Sequence, residues 1–141
     1  MKRRELILAA MAPGGGYRYT PVQIQKLVFL IDRQIPDEVG GPLFDFEPYH
    51  YGPFDRTVYD ELTNLAAAGL VTINYGTVPR NFALTPEGET EGTKILEDAS
   101  QRARDFIIKV SLFARTQSFS SLVSAIYKAF PEMRKNSVFQ Q

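Results

Sequence analysis

Few residues in this chain are equipped for chemistry. His50 is the only histidine, and there is no cysteine. A metal site at His50 would have to draw on Asp45, Glu47 and Asp55, but no His-x-x-x-His or His-x-Glu pattern is present, and zinc sites are built on such spacings. A Ser/His/Asp triad can be assembled on paper around His50, yet no Gly-x-Ser-x-Gly elbow presents a serine. Pro13-Gly14-Gly15-Gly16 lacks the Gly-Lys-Ser/Thr ending of a phosphate loop and reads as a flexible connector. The neighbouring acids Asp60-Glu61 and Glu97-Asp98 would point about 100° apart on a helix, so they read as solvated surface. These patterns ask for no catalysis, metal or cofactor. The expectation is a protein that works by binding.

The unusual stretch is aromatic: Phe44-x-Phe46-x-Pro48-Tyr49-x-Tyr51-Gly52-Pro53-Phe54, with Arg56 just beyond. One reading is a lid over the core, since buried aromatic rings supply large packing area. The other is a partner-binding surface anchored by Phe44, Phe46, Tyr49, Tyr51, Phe54 and Arg56. Tyrosine-rich segments ordered by proline lose little entropy on binding.

Spacing predicts the elements that must hold these residues. A first helix covers 2–11 and ends before Pro13. A second begins with Thr20 as cap, Pro21 in the first turn and Gln23 completing a capping box. Ile24, Leu27, Val28, Ile31 and Ile35 form its apolar face. Residues 36–52 are too rich in proline and glycine for a helix and too aromatic for a linker, so they read as an ordered loop with an extended piece around Leu43–Glu47. Gly52-Pro53 opens a third helix, 53–68, and Gly69 caps it. A hairpin follows, with arms 71–75 and 81–84. Apolar residues at helical spacing then predict one long helix, 86–115, frayed near Gly88 and Gly92. Ser118 caps a last helix, 119–130, which Pro131 ends. The long helix is apolar beyond one stripe around Ile107, Ile108 and Leu112. It is expected to be central in its own domain, with a homodimer face as the alternative.

The fold class is therefore mostly α with a β-hairpin (α+β), a winged-helix-like helical domain with a long C-terminal helix, in one domain over 1–141. The helix–Gly–hairpin–Leu84-Thr85-Pro86-Glu87-Gly88 passage resembles the MarR and PadR regulators. Such a fold suggests DNA, but charge argues against it. The net charge of zero divides into +4 over residues 1–29, −9 over 30–101 and +5 over 102–141. The helix that should read bases carries Asp55, Asp60 and Glu61 against Arg56, and the wing tip offers only Arg80. Acids there would oppose phosphate contact. The short apolar run Leu6–Met11 is broken off by Pro13 and the glycines, and no later stretch is long enough to span a bilayer, so a cytoplasmic location is expected.

Several pieces resemble one family. Thr20-Pro21-x-x-Ile24-Gln25-Lys26-Leu27-Val28-Phe29 is similar to the opening motif of the Panacea, or SocA-like antitoxin, proteins and the related YwgA-like proteins. Pro42 to Leu62, with Tyr51-Gly52-Pro53-Phe54 and Val58-Tyr59, resembles their central motif. Ala125 to Met133, with Pro131-Glu132, resembles the tail of the YwgA-like branch. The likeness runs from about residue 20 to 137. It implies a mainly structural role for Gln25, Lys26, Leu27, Gly52, Pro53, Tyr59 and Pro131, and it carries over no catalytic residue. It also implies an antitoxin- or adaptor-like module that binds a partner protein, for some members a cognate toxin. A winged-helix DNA-binding regulator is the alternative.

Overall fold

Helix starts in this chain are written as side-chain caps. The computed structural model, which describes residues 1–139, shows five of them in use. Thr20, Asp55, Thr85, Ser100 and Ser118 each accept a hydrogen bond from a backbone N–H two or three residues on, satisfying donors that a helix end leaves open. At Thr20 the box is reciprocal: the Gln23 side chain accepts from the Thr20 N–H at 2.9 Å. The elements run α1 (Arg3–Met11), α2 (Pro21–Gln34), α3 (Pro36–Val39), β1 (Glu47–Tyr49), β2 (Gly52–Phe54), α4 (Arg56–Ala67), β3 (Val71–Asn74), β4 (Asn81–Leu84), α5 (Pro86–Asp98), α6 (Gln101–Thr116) and α7 (Phe119–Ala129). Short 3-10 turns cover Ala12–Gly14 and Pro131–Arg134.

The molecule is mostly helical, with two small antiparallel hairpins. Helices α1, α2 and α4 followed by the β3–β4 hairpin give the expected winged-helix-like order. Tyr19, just before α2, adds a bridge to the wing, exchanging backbone bonds of 2.8 and 2.9 Å with Phe82. Gly69 adopts the left-handed conformation after α4, with φ 79°, and the Leu70 N–H returns to the Leu65 carbonyl. That is the glycine-closed helix end its position predicts.

Several expectations are corrected. Gly52 and Pro53 do not open the third helix. They belong to β2, paired with Tyr49 and Pro48, and Asp55 caps the helix instead. The loop before them contains the one-turn helix α3, and its extended piece lies at Glu47–Tyr49. The long helix is two helices. Ala99 is extended, Ser100 caps α6, and the Arg104 guanidinium donates to the carbonyls of Leu96, Glu97 and Ala99 at the end of α5. Finally, α6 is not buried all round, since Ile108 and Leu112 are 44% and 53% exposed.

The central helix is α1, buried continuously from Leu6 to Met11. Gly88 and Gly92 do not fray α5. A Cβ on Gly88 would stand 1.9 Å from the Leu70 carbonyl oxygen, and one on Gly92 would stand 2.5 Å from that of Leu8, so they are contact points. A second, smaller apolar cluster gathers Phe29 of α2 with Val123, Ile126, Tyr127, Phe130 and Met133. Among the described residues, no helix is long and apolar enough to cross a membrane.

Candidate partner-binding surface

Helix α2 buries three polar residues, Gln25, Lys26 and Asp32. Burying a polar group is costly unless it is bonded, and two of the three are bonded to the aromatic segment. The Gln25 carboxamide donates to the Asp55 carbonyl at 3.0 Å and accepts from the Asp55 N–H at 3.1 Å. It thus pairs with the backbone much as a neighbouring strand would. The Asp32 carboxylate accepts from the N–H groups of Leu43 at 2.7 Å and Phe44 at 3.0 Å. Asp55 ties the two ends together, accepting from Asp45 N–H at 2.7 Å and Thr57 N–H at 2.8 Å.

Lys26 lies under the middle of the segment. It is 3% exposed and has no ion-pair partner among the described residues. Burial lowers its pKa from 10.5 to about 7. Gly52 crosses directly above it with φ 106°, and a Cβ there would come 3.2 Å from Lys26 Cε and 3.4 Å from Nζ. The backbone angle favours glycine at this position, and a Cβ would press on the end of the lysine side chain beneath.

On this frame the six anchor candidates separate. Phe44 is buried and Phe46 half-buried, their rings 5.8 Å apart, and Phe46 packs edge-on to Phe29 at 5.3 Å. Both pack in the lid; Phe44, being buried, is corrected as a surface anchor, while Phe46 keeps part of its surface open. Phe54 is half-buried between Tyr49 and Tyr59, at 5.0 and 5.7 Å. Tyr49 and Tyr51, at the hairpin tip, are 49% and 42% exposed. Arg56 is exposed and faces Asp60 at 3.9 Å. Among the motif residues, Leu27 is fully buried, Pro53 is buried in β2, and Pro131 is exposed where α7 ends. Tyr59 is half-buried, stacked on Phe82 at 6.1 Å, and burial raises its hydroxyl pKa.

The winged-helix face is poor in free cations. The Arg80 guanidinium lies over the rings of Tyr59 at 4.9 Å and Phe82 at 5.4 Å. The tip beyond it, Gly76 to Pro79, is uncharged and exposed. His50 is exposed in the β1–β2 turn, its ring stacked on Tyr49 at 4.2 Å. Among the described residues, no cluster of three or more metal-ligating side chains is present.

Three participants were missed in the sequence: Asp32, Asp55 in its anchoring role, and Phe119. Asp32 carries a visible signal, as an acid seven positions after Gln25 on a helix otherwise apolar from Ile24 to Ile31 apart from Gln25 and Lys26. Phe119 carries none, because its ring meets Tyr51, at 5.2 Å, only through the tertiary fold. No protein-family model matches the chain, and no curated protein matches it.

Proposed function

We propose that this chain is a non-enzymatic, cytoplasmic, protein-binding regulatory module, antitoxin- or adaptor-like, that presents the β1–β2 hairpin to a partner protein. The supporting observation is the frame of Gln25, Lys26 and Asp32. Gln25 and Asp32 bind the backbone on either side of the hairpin and Lys26 lies beneath Gly52, while Tyr49 and Tyr51 stay exposed at the tip. An apolar contact at those positions would stabilise the fold more simply. Polar anchoring instead specifies one geometry, and a preorganised surface reduces the ordering cost of association. The resemblance to SocA-like proteins makes a cognate toxin the first partner to test.

The test is co-expression with a toxin encoded beside the gene, with growth as the readout. The wild type should relieve growth arrest, and a Tyr49→Ser/Tyr51→Ser variant with an unchanged melting curve should not. Equal rescue by that variant would remove the hairpin from the interface. The DNA-regulator alternative loses support because Arg80 is held over two rings and Arg56 faces an acid. Random duplex DNA should show no appreciable binding at physiological salt. Submicromolar binding with a steep salt slope would favour that alternative.

A further inference from the structure

The exposed hairpin tip is not an isolated feature. The C-terminal segment runs beside it: the Val138 N–H donates to the His50 carbonyl at 2.9 Å, and Ser137 Oγ donates to the same oxygen at 3.2 Å. The Tyr127 hydroxyl donates to Ser137 Oγ at 2.6 Å. Rings continue the surface, with Tyr51 against Phe119 at 5.2 Å and Phe119 against Phe139 at 5.9 Å. Phe119 also lines an apolar groove of about 380 Å³ with Pro21, Val22, Pro79 and Leu122.

The free charge on this face is net basic. Arg134 and Lys135 are exposed and have no ion-pair partner among the described residues. Arg134 ends the turn that packs against β1 and β2, and Arg134 and Lys135 precede the Ser137–His50 contact. Of the nearby acids, Glu132 is held by Arg33 at 3.1 Å, leaving Glu47. The Tyr49 and Tyr51 hydroxyls bond to no group among the described residues, so two phenolic donors are open. Free ammonium, guanidinium and phenol donors beside an apolar groove complement a chain segment that carries carboxylates next to a bulky apolar side chain.

We propose that the β1–β2 tip, Phe119 with its groove, and residues 134–139 form one docking surface for an acidic peptide segment of the partner protein, seated by an apolar side chain in the groove. This rests on the protein-binding reading above and names the chemistry of the segment bound. Single-stranded nucleic acid also uses cations and aromatic rings, but it needs free ring faces for stacking. Tyr49 already has both His50 and Phe54 stacked against it.

A random peptide library displayed on phage, selected on the full chain, tests this. Enriched peptides are labelled and titrated by fluorescence anisotropy against the wild type and against Arg134→Glu/Lys135→Glu, whose substituted side chains are exposed. A matching thermal melt confirms that the variant is folded. The expected result is enrichment of acidic sequences with a bulky apolar residue, binding that weakens with salt, and a loss of about tenfold or more in the variant. Enriched peptides that are neutral or basic, or that bind the variant equally, overturn the surface while leaving the protein-binding reading intact. A selection that yields no binder overturns the surface. If a labelled oligothymidylate then binds the wild type and not the variant, the protein-binding reading falls with it.

Discussion

Asp32 is the residue on which the aromatic segment hangs at its first end. Its carboxylate is buried and fully engaged by the N–H groups of Leu43 and Phe44. Asp32→Ala would leave two donors without an acceptor, each costing about 1–3 kcal/mol if kept from water. We expect urea denaturation to show a loss of about 2–4 kcal/mol. A change below ~0.5 kcal/mol would mean that the loop is held without it. Lys26 makes a prediction of opposite sense. The unfolded chain keeps it protonated up to 10.5, and the folded chain releases the proton near 7. Between those values the unfolded state binds more protons, so stability rises with pH, while below them both states are charged and the burial penalty is felt in full. Relative to Lys26→Met, the wild type should gain on the order of 1 kcal/mol per pH unit above about pH 7, and nothing below it. A flat difference would mean that Lys26 is solvated. The motif drew attention to both Gln25 and Lys26 in the sequence, but their work was not legible there. Gln25 meets backbone atoms of Asp55, 30 positions away, that any residue type supplies, and Lys26 lies beneath Gly52, 26 positions away.

The same limit operates on whole elements. Apolar spacing runs on through residues 95–113, so it predicts one helix, although Ala99 and Ser100 break it. Periodicity records which face is buried. It does not record a change of axis when both segments bury the same side. The cap was readable, since Ser100 has the residue type that starts helices. Ser100→Ala should cost about 1 kcal/mol in a thermal melt, whereas a continuous helix would gain stability from the substitution. Pro53 misled for a related reason. Proline suits a helix start, but here it faces Pro48 across a two-residue turn, at a pair where neither can donate a ladder bond. Gly88 looked like a weak point in a helix and is a point of contact. Gly88→Ala should destabilise by about 3 kcal/mol, because a rigid carbonyl, not a flexible side chain, occupies the space. A neutral effect would mean that α5 can slide on the β3 side of the fold. The helix starts at Thr20 and Ser118, the glycine-closed end of α4 and the wing were legible because each is fixed by local chemistry.

At the scale of the molecule, α1 occupies the place that the sequence suggested for residues 86–115, and α6 keeps one face in solvent. Ile108→Glu is therefore expected to fold, with stability within about 0.5 kcal/mol of wild type. Light scattering should find both proteins monomeric, since two exposed aliphatic side chains fall far short of the roughly 800 Å² per partner of a specific interface. A wild-type dimer dispersed by the substitution would make α6 a homodimer face. The existence of two apolar clusters has a different consequence. The larger one joins α1, α2, α4, α5, α6 and the wing, while the smaller one holds α7 and the turn after it against Phe29. Units with their own small core open independently of the rest. In hydrogen exchange, the amides of α7 should therefore exchange by a local opening well before those of α1, whose protons wait for global unfolding. A partner seated on Phe119 and residues 134–139 would close that opening and slow α7 while leaving α1 unchanged. The chain would then report occupancy as a change in the order in which its parts come undone.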